Sequence, residues 1–273
     1  MPEGPEIRRA ADQVERAIAR QPLTEIFFAF EHLKPYETKL VTQEIRGVET
    51  KGKGMLICFA QGLNIYSHNQ LYGQWMVRRA QDYPPTNRQL RLAIHTAQKS
   101  ALLYSASDIE VLADAELATH SFWGRVGPDV LNPETTPEQV RDRLLAPEFR
   151  RRRLTTLLLD QHFLAGLGNY LRSEVLFVAR VHPARRPLDC TPDQMARLAE
   201  GAIALPRQSY ETGGITNDLT LAQSLKAAGQ PRRLYRHWVF GRDGQPCFVC
   251  ETPIEKIDAG GRRCYYCPQC QSA

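Results

Sequence analysis

The sequence predicts an α+β chain of more than one domain, with a β-rich N-terminal part headed by a long helix, a helical middle and a small cysteine-rich tail. Three observations predict this organisation. The 273 residues are about twice the length of a typical single domain. The hydrophobic pattern changes from helical to strand-like and back to helical along the chain. Five of the seven cysteines lie between residues 247 and 270.

Composition excludes several classes of protein. Hydrophobic residues make up 42% and charged residues 24%, which is ordinary for a folded chain and excludes wholesale disorder. No apolar run approaches the roughly 18 residues of a membrane span, and the first residues carry no apolar signal region, so we expect a cytoplasmic protein. The net charge of +5 permits a polyanionic partner without identifying one. No heptad or apolar stripe indicates an oligomer, so we expect a monomer.

The first predicted domain spans residues 1–122. Apolar residues recur at helical spacing from Ile7 to Ile18, which predicts the opening helix. Short apolar or alternating runs follow, separated by Gly, Asn and Pro, as is typical of an antiparallel sandwich or barrel. These runs are 26–30, 55–59, 63–67, 74–78, 90–94 and 101–105.

A linker is predicted at residues 123–136, where glycine and proline are frequent, and a helical domain at 137–233. Thr136 and Thr191 each precede a proline, the pattern of an N-cap followed by the first helical residue. Another helix is predicted from Asn169. Within this domain, residues 211–233 are rich in glycine and polar residues and are predicted to form a mobile loop.

The tail, residues 234–273, has the spacing of a zinc ribbon. Cys247-x2-Cys250 is followed after sixteen residues by Cys267-x2-Cys270, and each pair can present two sulfurs to one tetrahedral ion. Cys264 also has knuckle spacing with Cys267, so one cysteine must be a bystander. We favour Cys267 and Cys270 as the second pair. With four protein sulfurs, the single zinc would be structural; the alternative is buried thiols without a metal.

Two arginines follow a glycine turn within this ribbon. Arg262 and Arg263 come directly after Gly260 and Gly261, where the backbone can approach a phosphate closely. The pair is therefore a candidate nucleic-acid contact. A solvated surface turn is the alternative.

The N-terminus offers a possible nucleophile. Removal of the initiator methionine would leave Pro2, a secondary amine whose pKa of about 8 is well below the ~10.4 of lysine. We expect the positive end of the following helix to lower that pKa further. Such an amine can attack a sugar C1′ to give an iminium, and Glu3 beside it could move protons. A helix lead-in without catalytic role is the alternative.

Several segments together resemble the endonuclease VIII branch of the formamidopyrimidine-DNA glycosylase superfamily, and the likeness runs through the whole chain. These segments are MPEGPEIRRAAD (1–12), KGKG (51–54), SHNQLYG (67–73), YSASDIE (104–110), GRVGPDVL (124–131), LLLDQHFLAGLGNYLRSE (157–174) and FGRDGQPCFVC (240–250).

The resemblance implies a fold and a set of catalytic residues. The fold is an N-terminal β-sandwich, a helix-two-turns-helix domain and a zinc ribbon, with DNA held between them. Pro2 is implied to be the Schiff-base nucleophile and Glu3 the acid/base that assists base loss. Lys53 corresponds to the general acid/base of β-elimination and Arg262 to the arginine of δ-elimination, with Arg263 one residue out of register.

The resemblance also implies DNA contacts. Asn169, in the turn before a helix, and Arg125, in the linker, would bind phosphates. Gln70, Leu71 and Tyr72 would fill the gap left by a flipped nucleotide. Without the resemblance these residues have other interpretations: a helix cap for Asn169, a solvated charge for Arg125 and strand core positions for Leu71 and Tyr72.

The implied activity is that of a bifunctional DNA glycosylase and AP lyase, which removes oxidised pyrimidines such as thymine glycol and cuts the strand by β,δ-elimination. Its partner would be double-stranded DNA that contains oxidised bases or abasic sites. Two alternatives stay open: a purine-directed enzyme of the same superfamily, which excises 8-oxoguanine and formamidopyrimidines, and a non-catalytic zinc-ribbon protein that binds DNA.

Overall fold

The computed structural model describes residues 2–272 and divides between Arg125 and Val126 into two compact units. The division falls within the segment predicted as the linker, while the finer domain boundaries stay predictions. No helix within residues 2–272 is long and apolar enough to cross a membrane. The α+β fold class predicted from the sequence is confirmed, because the units combine antiparallel sheets with helices.

The first unit contains eight strands and three α-helices among its described residues. They are α1 (Gly4–Ile18), β1 (Leu23–Phe28), α2 (Glu37–Val41), β2 (Ile45–Lys51), β3 (Gly54–Phe59), β4 (Leu63–His68), β5 (Gln74–Arg79), β6 (Leu90–Thr96), β7 (Lys99–Tyr104), β8 (Asp108–Ala113) and α3 (Asp114–Leu117). A short 3-10 helix, Glu31–Tyr36, precedes α2. The strands form two antiparallel four-stranded sheets, with orders β1-β6-β7-β5 and β2-β3-β4-β8.

One hydrophobic core joins both sheets to α1. Ile7, Val14 and Ile18 lie on the apolar face of α1 and are buried against strands from both sheets. Strand β2 buries Ile45 and Val48, which lie three residues apart because the register with β3 shifts between Ile45 and Gly47. Helix α1 therefore fixes the N-terminus against β2 and β3, the strands whose turn carries Lys53.

The second unit is helical and ends in a two-stranded ribbon. Its elements are α4 (Pro137–Leu145), α5 (Leu154–Leu157), α6 (Asn169–Val178), α7 (Pro192–Glu211), α8 (Leu219–Ala227), α9 (Arg232–Tyr235), β9 (Glu255–Asp258) and β10 (Arg263–Tyr266). Thr136 and Thr191 cap α4 and α7 as predicted, since each hydroxyl accepts a hydrogen bond from the third helical amide. Helix α6 packs against both α7 and β10.

The prediction of a mobile loop at residues 211–233 is wrong. The segment contains α8 and the start of α9. Asp218 caps α8 by accepting a hydrogen bond from the amide of Leu221 at 2.8 Å, and Ala222 is buried. Two glycines ahead of this cap obscured the helix start, although the Asp-Leu-x-Leu pattern was a usable signal.

Candidate functional site

The N-terminal candidates lie at the start of α1. Pro2 is half-buried and Glu3 is only 3% exposed, in the N-cap position. The amide of Glu3 donates to Glu6 Oε2 at 3.0 Å, and the Glu3 carbonyl accepts the first helical bond from Ile7. The helix therefore holds the dipeptide rigidly at its positive end, where negative charge is stabilised.

Lys53 occupies the turn between β2 and β3 and is only 8% exposed. Gly54 follows it, and a Cβ there would lie 3.0 Å from the rings of both Phe122 and Tyr66. The aromatic side chains thus pack directly on the turn, and a larger residue at Gly54 would displace it. Lys51, at the other side of the turn, donates from Nζ to the carbonyl of Trp123 at 2.9 Å. These contacts fix the backbone that carries Lys53.

His68 is a site residue that the sequence reasoning missed. It ends β4 opposite Gly54, and its Nδ1 accepts a hydrogen bond from the amide of Gln70 at 3.0 Å. Burial and the nearby charge of Lys53 lower the pKa of His68 to about 4. The imidazole is therefore neutral at pH 7 and carries a proton on Nε2. Its place two residues ahead of Gln70 was the signal that could have identified it.

Gln70, Leu71 and Tyr72 form the tip of the β4–β5 loop. Leu71 is 59% exposed and Tyr72 is 71% exposed, so neither is a strand core residue, as the alternative interpretation would require. Below the tip, the amide of Gly73 donates to the carbonyl of Asn69 at 2.7 Å and closes a tight turn. The loop therefore presents apolar and aromatic surface to solvent on a rigid base.

Arg125 is exposed at the end of the first unit. Its amide donates to the carbonyl of Phe122 at 3.0 Å, which continues the turn that packs beside Gly54. The charged side chain is thus connected through a short segment to the Lys53 turn.

In the second unit, Asn169 is the first residue of α6. The preceding turn is held by Gln161, whose side chain donates to the carbonyls of Leu159 and Leu167 and accepts from the amide of Gly166, all at 3.0 Å. Asn169 Oδ1 is buried without a hydrogen-bond partner among residues 2–272. A ten-residue helix thus begins at a rigid turn that carries a side-chain amide.

Arg262 and Arg263 are both exposed at the start of β10. The turn ahead of them is closed by Asp258, which accepts a hydrogen bond from the amide of Gly261 at 2.8 Å. Arg262 lies in this turn, and Arg263 is the first residue of β10.

The four predicted sulfur ligands converge. The Sγ atoms of Cys247, Cys250, Cys267 and Cys270 all lie within 4.8 Å of one another. Cys250 is 3.4 Å from Cys267 and 3.5 Å from Cys270. A tetrahedral zinc with bonds of about 2.3 Å needs sulfurs about 3.8 Å apart, so the set fits such an ion. Backbone amides also donate to sulfur, from Val249 to Cys247 and from Cys270 to Cys267, which stabilises thiolates.

Cys264 lies apart from this cluster. It is fully buried in the hydrophobic core of the helical unit, with Ser173 Oγ 3.8 Å from its sulfur. Burial raises its pKa, so it is held as a neutral thiol. The four cysteines that the sequence favoured are thus the ones placed to hold a metal ion.

Each unit therefore carries one part of the predicted site. The first holds the N-terminal dipeptide, a buried lysine on a fixed turn and an exposed apolar wedge; the second holds a helix-start amide, two exposed arginines and a four-sulfur cluster. An amine, a carboxyl and a lysine can perform imine and elimination chemistry. The arginines and the helix N-terminus can bind phosphates.

Comparisons with known proteins agree on one family. Residues 1–107 match the profile of the formamidopyrimidine-DNA glycosylase N-terminal domain, and residues 126–220 match the formamidopyrimidine-DNA glycosylase H2TH domain. Endonuclease 8 from Escherichia coli (strain K12 / DH10B) is 49% identical over 271 residues, which cover 99% of this chain and 100% of that protein. Endonuclease 8 from Shigella sonnei (strain Ss046) has the same identity and coverage.

Solved structures share the fold. A structure of MutM in complex with DNA containing carbocyclic 8-oxo-G superimposes with a TM-score of 0.81 at 21% identity and covers all of both chains. A Lactococcus lactis formamidopyrimidine-DNA glycosylase, bound non-covalently to DNA with an AP site, gives 0.82 at 20% identity over 99% of this chain and 100% of that one.

Proposed function

This chain belongs to the formamidopyrimidine-DNA glycosylase family, and from that premise we propose how its residues remove an oxidised pyrimidine from DNA and cut the strand. The protein is a bifunctional DNA glycosylase and AP lyase of the endonuclease 8 type. Its substrate is double-stranded DNA with oxidised bases or abasic sites.

Base loss starts at the N-terminus. Once Met1 is removed, the amine of Pro2 attacks C1′ of the damaged nucleotide, and the glycosidic bond breaks as the base leaves with its electron pair. Glu3 is buried beside this amine, and it protonates the sugar ring oxygen as the ring opens. The product is an iminium that joins Pro2 to the sugar and accepts electrons in the next steps.

Strand cleavage uses Lys53 and Arg262. The iminium acidifies the C2′ proton. Lys53 acts as the general acid/base for the removal of this proton, which expels the 3′ phosphate in β-elimination. Lys53 is only 8% exposed, so it acts from a fixed position. Arg262 then stabilises the second phosphate as it leaves in δ-elimination, because a guanidinium pairs well with phosphate oxygens.

Exposed residues in each unit, together with the half-buried Asn169, are the proposed DNA contacts. Gln70, Leu71 and Tyr72 fill the gap left by the flipped nucleotide; the exposure of Leu71 and Tyr72 supports this role. Asn169, Arg125 and Arg263 bind phosphates, Asn169 with help from the positive end of α6.

A zinc ion on the four cysteines is structural. Four sulfurs would saturate a tetrahedral ion, so a bound metal would leave no position for a substrate and would supply only a crosslink between the two knuckles. So small a ribbon buries too little apolar surface to fold without such a crosslink, so chelation should release Arg262 and Arg263 from their position.

The burial of Glu3 and Lys53 on two elements that pack together is the observation that carries the catalytic assignment. Burying a carboxyl and an amine costs free energy, and groups that the fold holds in this way on elements that pack together are candidates for acid–base catalysis. We further propose that the enzyme works as a monomer in the cytoplasm, where a reducing environment keeps its cysteines free of disulfides.

Borohydride trapping tests the assignment. A duplex with thymine glycol, reduced during reaction, should form a covalent adduct with the protein, and an 8-oxoguanine:cytosine duplex should form much less. An N-terminal extension ahead of Pro2 should abolish the adduct, and Lys53→Met should keep the adduct and slow β-elimination. A protein that binds the duplex but forms no adduct is a DNA-binding module, and an adduct that survives the extension excludes Pro2. Preference for the 8-oxoguanine duplex would assign the purine-directed activity.

A further inference from the structure

Helix α6 contains three consecutive polar side chains with no exposed surface: Arg172, Ser173 and Glu174. Arg172 is the largest fully buried side chain within residues 2–272. Charged residues are almost never fully buried unless they are paired, and buried polar groups need hydrogen-bond partners. The partners of these three side chains therefore show which segments α6 fixes.

Arg172 holds the base of the ribbon hairpin. Its Nη2 donates to the carbonyl of Arg263 at 2.8 Å and to that of Arg262 at 3.4 Å. Its Nη1 donates to the carbonyl of Thr155 in α5 at 2.9 Å. One planar guanidinium thus joins two helices to the backbone of the two residues whose side chains are exposed at the ribbon.

Ser173 fixes the next part of the same strand. Its hydroxyl accepts a hydrogen bond from the amide of Tyr265 at 3.2 Å and donates to the carbonyl of Asn169 at 3.0 Å. The backbone of residues 262–265 is therefore clamped to α6 at three points. At the hairpin tip beyond it, a Cβ added to Gly260 or Gly261 would meet no atom within 4 Å, so the tip packs against no other part of the described chain.

We propose that Arg172 is a positioning residue for δ-elimination. It sets the backbone of Arg262 so that the exposed guanidinium reaches the phosphate that leaves last. The inference rests on the proposed role of Arg262. In that step the C4′ proton is lost, the C5′–O bond breaks and the phosphate leaves with the electron pair, so a diene conjugated to the iminium remains. A misplacement of about 1 Å can cost as much as a hundredfold in rate, so the clamp controls this step.

Helix α6 carries both the proposed phosphate contact and the arginine that positions Arg262. Asn169, the proposed phosphate contact, begins the same α6 that carries Arg172 three residues later. One turn of α6 therefore fixes Asn169 relative to Arg172, the side chain that holds the backbone of Arg262. Loss of Arg172 would disturb Arg262 and leave Pro2, which lies in the other unit, in place.

The product ratio from an abasic duplex with a 5′ label tests the proposal. The unsaturated aldehyde of β-elimination and the 3′ phosphate of δ-elimination separate on a gel. We expect Arg172→Met to lower the δ:β ratio about tenfold and to keep the borohydride adduct. Arg172→Lys, which keeps the charge but not the fork, should recover part of the ratio. In an Arg262→Ala background, Arg172→Met should have no further effect on it.

Arg207→Met is the matched control. Arg207 Nη2 also donates to two backbone carbonyls, those of Asn132 and Thr135, both at 3.0 Å, and it touches neither the ribbon nor α6 through these bonds. It should keep the wild-type ratio, and every variant should keep one zinc per chain.

Three results would overturn the proposal. The first is an unchanged δ:β ratio in a folded Arg172→Met protein. The second is an equal loss of the adduct and of both eliminations, which would make Arg172 structural only. The third is that the effects of Arg172→Met and Arg262→Ala on the ratio are additive. A wild-type enzyme that traps on DNA but yields no δ product would refute the proposed role of Arg262 and this inference with it. Absence of any adduct would refute the proposed function itself.

Discussion

Glu174→Gln should destabilise the second unit. The carboxylate is fully buried and accepts four hydrogen bonds. Oε1 accepts from the amides of Val239 and Phe240 at 2.9 and 3.0 Å. Oε2 accepts from Thr216 Oγ1 at 2.5 Å and from the amide of Trp238 at 2.7 Å. Burial raises the pKa of Glu174, and all four donors act against that rise by favouring the carboxylate.

The loss of stability depends on which carboxylate oxygen of Glu174 is replaced by the NH2 group of glutamine. At the Oε1 position two backbone amides would lose their acceptor. At the Oε2 position only the amide of Trp238 would, because the hydroxyl of Thr216 also bonds His237 Nδ1 at 2.8 Å and can turn towards it. One orphaned amide costs about 1–3 kcal/mol, and the remaining bonds lose their charge assistance. A neutral amide avoids the cost of burying a charge, so we expect a net loss of about 2–4 kcal/mol.

Urea unfolding and amide hydrogen exchange measure this loss. The transition of the second unit should shift to lower urea, and exchange at Trp238, Val239 and Phe240 should accelerate. Glu200→Gln on α7 is the control, since Glu200 is exposed and its loss should change the free energy of unfolding by less than about 0.5 kcal/mol. A Glu174→Gln protein as stable as the control, with unaltered exchange at these amides, would refute the reasoning.

Three other predictions follow from single contacts. Cys264→Ser should keep one zinc per chain and Cys267→Ser should lose it, as measured by metal analysis of the purified proteins, because only the second sulfur lies in the cluster; the reverse result would reassign the ligands. The first unit should lose stability as the pH falls from 6.5 towards 4, because folding lowers the pKa of His68 from 6.5 to about 4 and the unfolded chain therefore binds the proton first. The free energy of unfolding of His68→Gln should depend less on pH over this range. An equal dependence in the variant would contradict the lowered pKa of His68. Gly73→Ala should lower excision from a thymine-glycol duplex at least about fivefold, because its Cβ would lie 2.6 Å from the backbone of Asn69 and open the turn below the wedge; unchanged excision would show that the turn is not needed.

Local spacing predicted several parts of this molecule correctly. The helical periodicity of residues 7–18 predicted α1, and the Thr-Pro pairs predicted the starts of α4 and α7. These features depend on residues within one or two turns of each other, so one sequence is enough to identify them. The helix at Leu219–Ala227 was missed because polar and glycine residues precede its cap, and its packing is set by distant partners.

Other decisions depended on distant residues. By spacing, Cys264 and Cys270 can each pair with Cys267. Only the fold separates them, because the sulfur of Cys270 lies in the cluster and Cys264 is buried against Ser173. His68 looked like an ordinary histidine until the strand pairing set it opposite Gly54 and near Lys53.

Residue type and short spacing in the sequence predicted the class of the chain, a ribbon with two sulfur pairs and a possible nucleophile at Pro2 beside Glu3, and the resemblance to a family implied the role of Lys53. Only the tertiary structure decided what Arg172 and Glu174 do. Their partners lie between 17 and 91 residues away along the chain. Desolvation and hydrogen bonding are set by what surrounds a side chain in space, and the order of residues does not state those surroundings.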